Sequence, residues 1–331
     1  MEFKTTIKIE KPSFQFSHTE SILLMGSCFA ENIGQELSKR FFSVDINPFG
    51  TLYNPSSIAK SLWILIEEKL FDERELFEHE GLFHSFMHHS RFSSVSAKES
   101  LSAINSRLAV SSQQIKTMER LILTFGTAWV YRLGSTKEVV ANCHKLPEKI
   151  FTRSRLSVDE ITDEWRDLLI SLWKINPKLK VLFTVSPIRH WKDGANGNQL
   201  SKATLLLAID KLCKSFPEQT EYFPSYEIMI DELRDYRFYA SDMLHPSPMA
   251  IEYIWERFSE SFIRKETINI LKDLSEVQKA VDHRPFNPNS GQYKKFLLNT
   301  INKAELINNN IQSAVLTDTI NELRGRVSNL L

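Results

Sequence analysis

Continuous apolar runs alternate along the chain with amphipathic stretches, and the alternation predicts strands and helices in turn. Ile22 to Met25 reads as a buried strand, and Phe29, Ile33 and Leu37 then recur at helical spacing in a helix from about Phe29 to Phe41. Gly26-Ser27 lies between the two as a turn. Phe42 to Ile46 reads as a second short strand ending in Asn47-Pro48-Phe49-Gly50. Asn54-Pro55-Ser56 follows as an N-cap with proline at the first helical position, which predicts a helix continuing to Glu67. Residues 70–118 show no clear strand pattern. Their centre is rich in aromatics and histidine, including His84, His88 and His89, and the segment reads as a helical insertion.

Leu121 to Thr127 is the strongest strand, a continuous apolar run that predicts burial on both sheet faces. Ala128 to Arg132 and Glu138 to Ala141 flank Gly134-Ser135 and predict a hairpin leading to Asn142-Cys143-His144-Lys145. Ser157-Val158-Asp159-Glu160 has the capping-box pattern, opening a helix through Trp173, and Asn176-Pro177 closes it before a strand from Val181 to Val185. Asp193 to Gly197 reads as a loop, Leu200 to Phe216 as a helix, Glu221 to Phe223 as a short strand and Met249 to Ile263 as a helix. Residues 264–331 are mainly helical, with an interruption at Arg284 to Pro288.

This order predicts an α/β fold: a three-layer α/β/α sandwich with a mostly parallel sheet over residues 1–263, an insertion at about 70–118, and a helical C-terminal extension over 264–331. The extension carries no obvious chemistry and is a candidate surface for a homo-oligomer. Forty-one basic residues balance 41 acidic ones, so no global field favours nucleic acid or a membrane surface. The start, Met1 to Thr6, lacks the apolar stretch of a secretory signal, and no apolar run is long enough to span a bilayer, so a cytoplasmic location is expected. Cys28, Cys143 and Cys213 are too widely spaced for a disulfide framework or a clustered zinc site, and reduced thiols are expected.

Two distant stretches carry candidate chemistry. Ser27 stands where the first strand turns into a helix, at the carboxyl edge of the sheet where α/β proteins keep their sites. It could cap the helix, or attack a substrate with helix-start N–H groups beside it to stabilise an oxyanion. Cys28 is a rival nucleophile. Asp242-Met243-Leu244-His245-Pro246 follows the last predicted strand. A carboxylate three residues before an imidazole can orient the ring on one nitrogen while the other takes a proton from a serine. Ser27, His245 and Asp242 are therefore the candidate catalytic triad. His84 and His88 could share a helix face and bind a metal, but no acidic or cysteine partner stands at a recognisable spacing, and a lid or pocket wall with exposed histidines is the preferred reading. Arg189-His190-Trp191 follows a strand end and could contact an anionic or sugar-like group.

The motif Gly26-Ser27-Cys28-Phe29-Ala30 resembles the GSCFA-domain family, within the SGNH or GDSL-like hydrolase group. The resemblance extends to Asn47 to Gly50 with Asn54-Pro55, to Gly126-Thr127-Ala128-Trp129, to Asn142 to Lys145 and to Asp242 to Pro246, covering roughly residues 20–260. It implies a flavodoxin-like three-layer fold and a serine hydrolase, an esterase or acyltransferase working without metal or cofactor on a small-molecule acyl ester, with Ser27, His245 and Asp242 as the triad. Two departures stand out. Gly26 abuts Ser27 where the group usually has an Asp between them, and Ala128 stands where the group has the oxyanion-hole asparagine. Gly50 through its backbone N–H, and Asn54 or Asn142 through a side-chain amide, are the expected substitutes, with Asn142 first and the Ser27 amide beside it. Gly126, His144 and Arg189 complete the expected substrate-binding set. The rival reading is a non-catalytic ligand-binding module that retains the fold.

Overall fold

The computed structural model describes residues 4–330. The first three residues of the amino-terminal arm and the last of the C-terminal extension lie outside the described residues. Along the chain run β1 (Ser21–Gly26), α1 (Cys28–Ser38), β2 (Ser43–Ile46), α2 (Pro55–Ile66), β3 (Leu76–His79), β4 (Leu82–Ser85), α3 (Ala97–Gln114) and β5 (Arg120–Phe125). Then follow β6 (Trp129–Leu133), β7 (Val139–Val140), β8 (Phe151–Arg155), α4 (Val158–Ile175), β9 (Lys180–Val185), α5 (Gly194–Ser215), β10 (Thr220–Phe223) and a short α6 (Ser225–Glu227). The chain continues through α7 (Pro248–Phe262), α8 (Lys265–Ile268), α9 (Leu271–Asp282), α10 (Gly291–Ile311) and α11 (Ala314–Ser328).

The central sheet has the order β10-β9-β5-β1-β2, and every neighbouring pair is parallel. In chain order its strands are arranged 2-1-3-4-5, the flavodoxin-like winding. Alternation along β1 and β5 splits the core in two, because successive strand residues face opposite sides of the sheet. Ile22, Leu24 and Ile122 pack with Phe29, Ile33, Ile254 and Phe258 of α1 and α7. Leu23, Met25, Leu121 and Leu123 pack on the other face with Leu62, Ile104, Trp165 and Leu205, drawn from α2, α3, α4 and α5. The result is the expected three-layer α/β/α sandwich. Residues of α9 to α11 form a separate core around Leu274, Leu297 and Leu316, into which Phe41 projects.

The segment expected to be a helical insertion differs from that reading. It begins with the antiparallel hairpin β3–β4, joined at Glu80 and Gly81, both with positive φ, and only then forms α3. A two-residue turn with two left-handed residues matches the twist of a hairpin and favours glycine, which explains Gly81. Buried Ile104 and Leu108 make α3 a covering helix of the sandwich. The stretch Asp193 to Gly197, expected as a loop, is mostly the first turn of α5. Its glycines and polar residues conceal the helix from periodicity. Strand β8 has no apolar signature in the sequence: it pairs antiparallel with β6, yet Thr152 to Arg155 are exposed and carry no apolar alternation. Among the described residues, no helix is long and apolar enough to cross a membrane.

Candidate active site

The floor of the site is made where β1 ends. Gly26 has φ +139°, and a Cβ there would lie 2.2 Å from the carbonyl oxygen of Thr124, so only glycine lets β1 turn against β5 at this point. The Gly26 N–H donates to Asn47 Oδ1 at 2.9 Å and the Ser27 N–H to Thr124 O at 3.2 Å, while the Leu52 N–H donates to Gly26 O at 2.9 Å. Ser27 is thereby fixed at the N-cap of α1, its Oγ accepting from the Phe29 N–H at 3.2 Å. It is 1% exposed, yet it lines a cavity of about 520 Å³ together with Cys28, Asn54, Asn142, His190 and His245. The cap and the cavity-lining position are thus held by one side chain.

His245 lines the same cavity from the turn that precedes α7. Tyr239 and Pro246 bridge the base of this turn, and Met243 at its tip has φ +60°. Asp242 Oδ1 accepts the N–H groups of Leu244 and His245, each at 2.9 Å, and Oδ2 meets His245 Nδ1 at 2.5 Å. These backbone and ring donors hold the Asp242 carboxyl down at about 2, so it is ionised throughout the neutral range. With Nδ1 engaged, Nε2 is the nitrogen left for proton transfer. No hydrogen bond joins Ser27 Oγ and His245 among the described residues, and proton transfer requires them to approach to about 2.6–3.2 Å. Cys28 also lines the cavity, but burial raises its thiol pKa, which keeps it protonated and disfavours the thiolate chemistry of the rival reading.

The expected oxyanion donors are only partly brought together. The Ser27 N–H is occupied by Thr124 O, and the Gly50 N–H donates to Asn47 O at 2.8 Å. Gly50 does not line the cavity: the His89 Cβ stands 2.2 Å from where a Gly50 Cβ would lie, and φ is +83°. Both backbone assignments are therefore corrected. The N–H groups of Cys28, at the first position of α1, and of Thr51 have no protein acceptor among the described residues, and both residues line the cavity. Asn142 and Asn54 line it as well. Asn142 Oδ1 accepts from the His144 N–H and Asn54 Oδ1 from the Ser57 N–H, leaving each Nδ2 without a protein acceptor. Ala128 is fully buried in the core and does not line the cavity, although Thr127 and Trp129 on either side of it do.

Gly126 acts from behind the cavity wall. A Cβ on it would lie 2.9 Å from Tyr53 O and 3.2 Å from His190 Nε2, so glycine permits the close approach of both. His144 faces elsewhere, packed against His84 with its Nε2 on Ser85 O at 2.8 Å, and is corrected to a structural residue. His84 and His88 are buried instead of exposed: His84 bonds Ser93 Oγ and His79 O, and His88 bonds Ser85 Oγ. Only His89 of the three lines the cavity. Among the described residues no cluster of three or more His, Cys, Asp or Glu is arranged to hold a metal ion.

His190 belongs to the Arg189-His190-Trp191 segment marked in the sequence, whereas Arg153, Ser201 and Lys202 carry no sequence signal for the site. His190 lines the cavity and burial pushes its pKa down to about 4, so the ring is neutral. Arg153 arrives from β8, stacks on Trp129 with its guanidinium 4.4 Å from the ring centre, and pairs with Asp193. Ser201 and Lys202 of α5 brace the floor: Ser201 Oγ accepts the Ala128 N–H, and Lys202 Nζ donates to Gly126 O and Ser186 O, all at 2.7 Å. Lys202 is fully enclosed with no carboxylate partner among the described residues, and burial brings its pKa down to about 7. Its position inside α5 is indistinguishable in sequence from that of an exposed helix lysine.

Fold and site together define a doubly wound α/β protein with a serine and a histidine–aspartate pair at the carboxyl edge of a parallel sheet. The chain belongs to the GSCFA family, whose model matches residues 21–258, and the C-terminal domain of GSCFA domain proteins matches residues 274–329. No curated protein sequence matches it. Similar solved structures include a Streptococcus pneumonia protein whose name refers to platelet activating factor, 12% identical with a TM-score of 0.36 over 77% of this chain and 85% of that one. Another is an acetyl xylan esterase, Est2A, from the rumen bacterium Butyrivibrio proteoclasticus, 11% identical with a TM-score of 0.37 over 78% of this chain and 65% of that one.

Proposed function

We propose that the chain is a serine hydrolase acting on an ester of a small polar molecule. The observation that carries this reading is that Ser27 and His245 face one cavity while Asp242 holds His245 by Nδ1. In the proposed reaction Ser27 Oγ attacks the ester carbonyl carbon and gives its proton to His245 Nε2. The oxyanion is met by the Cys28 and Thr51 N–H groups with Asn142 Nδ2. Collapse expels the alcohol, which takes the proton back from His245, and leaves an acyl group on Ser27. Water, activated by the same histidine, then releases the acid; a sugar hydroxyl in its place would make the protein an acyltransferase. The cytoplasmic assignment belongs to this reading and draws support from the three free cysteines. So does the division into a hydrolase unit over residues 1–263 and a helical extension over 264–331.

The serine cap and the absence of a Ser27–His245 hydrogen bond favour a second reading, a non-catalytic ligand-binding module. Hydrolysis of a short panel of p-nitrophenyl acyl esters by the wild type, Ser27→Ala, His245→Ala and Cys28→Ala separates the possibilities. Turnover abolished in the first two variants and retained in the third is expected. Loss in Cys28→Ala alone would make the thiol the nucleophile, and equal residual rates in all four proteins would leave the binding module.

A further inference from the structure

A second cavity, of about 550 Å³, adjoins the first, and Arg189, Trp191 and Leu244 line both. The turn that carries Asp242 and His245 forms the partition: Asp242 lines the second cavity and His245 the first. Both volumes fall within the roughly 300–1,000 Å³ of small-molecule sites. The walls of the second cavity are aromatic and unusually open to solvent. Trp191 is 53% and Tyr236 76% exposed, and the Tyr236 and Tyr239 rings stand 6.0 Å apart at 49°. Large exposed aromatics have an apolar face to offer a ligand, at a cost in hydration that a folded chain otherwise avoids.

Charge narrows the class of ligand. The ionic groups around this cavity are Arg189, Arg234, Asp235 and Asp242, two of each sign. Arg234 pairs with Asp231, Asp235 with Arg237 and Asp242 with His245. Only Arg189 is without a carboxylate partner among the described residues, lying 5.0 Å over the Trp191 ring. A nucleotide phosphate would need more free cations than this. A neutral ring bearing several hydroxyls would use what is present: C–H faces against Trp191 and Tyr236, and hydroxyls toward Arg189, Gln199 and Asp235, which put both donors and acceptors in the cavity lining.

We propose that this second cavity is a carbohydrate subsite that binds the sugar carrying the scissile acyl group. Its role as the leaving-alcohol side rests on the esterase reading; sugar binding itself does not. In the reaction above the acyl carbon would sit over Ser27, and the departing hydroxyl would be delivered past His245 into the second cavity.

The test is binding without turnover. The wild type and Ser27→Ala are titrated with xylotriose, cellotriose and AMP, followed by tryptophan fluorescence and saturation-transfer NMR. Saturable millimolar binding of at least one trisaccharide to both proteins is expected, weakened tenfold or more in Tyr236→Ala and in Trp191→Ala. Both residues are exposed, so neither variant removes core packing. No saturable binding of either sugar would overturn the proposal, as would binding undiminished in both variants or tighter binding of AMP at the same residues. Sugar binding in a protein that hydrolyses no ester would sink the esterase reading and leave the subsite standing.

Discussion

Ser27 is locked at the end of a buried parallel strand and is 1% exposed, whereas the Asp242 and His245 side chains stand 46% and 52% exposed on the turn that precedes α7. The serine is held by the fold itself: Gly26 against Thr124, Asn47 across the turn, and Lys202 beneath. The aspartate–histidine pair is held almost entirely by its own turn, through three hydrogen bonds made within four residues. The difference teaches that perturbing the floor should damage folding and activity together, while perturbing the turn should damage activity alone. Under the proposed mechanism, any approach of His245 to Ser27 would therefore have to come from the turn side.

The largest expected effect is that of Gly26→Ala. The added methyl meets Thr124 O at 2.2 Å in a left-handed backbone, so destabilisation of at least about 3 kcal/mol is expected, read by urea denaturation. An ordinary stability in this variant would break the picture of a rigid floor. Next comes Asp242→Asn, in which the amide oxygen can still accept the Leu244 and His245 N–H groups and keep the turn, while the carboxylate beside Nδ1 is lost. Ester turnover should fall roughly 10²- to 10⁴-fold with an unchanged melting temperature. A parallel loss of stability would place this turn with the floor.

Asn142→Ala should lower kcat by roughly 100- to 1,000-fold if Nδ2 is the side-chain oxyanion donor. The same substitution at Asn54 additionally removes the N-cap of α2 and should cost about 1 kcal/mol of stability. Equal kinetics in Asn142→Ala and the wild type would transfer the oxyanion role to the Cys28 and Thr51 amides. A separate effect is expected on acid stability. Burial holds His190 down at about 4 and His88 at about 3, against 6.5 for a free imidazole. Below pH 6.5 the unfolded chain therefore binds protons that the native one refuses, so stability declines as pH falls from about 6.5 toward 4 and 3. Thermal melting across that range checks the slope, and His88→Phe should flatten it.

Much of this was legible in the chain because it is local. The strand–turn–helix around Gly26-Ser27, the Asn54-Pro55 cap, the capping box at Ser157 and the Asp242-x-x-His245 turn each involve residues within a few positions of one another. Periodicity, cap chemistry and short hydrogen-bonded turns report such features directly. The central strand Leu121 to Phe125 was equally plain, since burial on both faces leaves an unbroken apolar run. Strand β8 was not, because its outward residues are polar and its pairing with β6 is the only thing that makes it a strand.

What the sequence by itself determined is therefore the layered α/β architecture and the placement of a serine and an Asp-His pair at sheet-edge turns. Tertiary structure alone decided which backbone N–H groups remain free. Gly50 and Ser27 both looked like oxyanion donors, and both are consumed by carbonyls, one of them on a strand almost one hundred residues away. It also sent His144 into a histidine cluster, brought Arg153 and His190 to the cavity, and enclosed Lys202 beneath the floor. The physical reason is that a hydrogen-bonding group has the same local signature whether it faces solvent, substrate or another carbonyl. Its availability is set by partners that only long-range packing brings within about 3 Å.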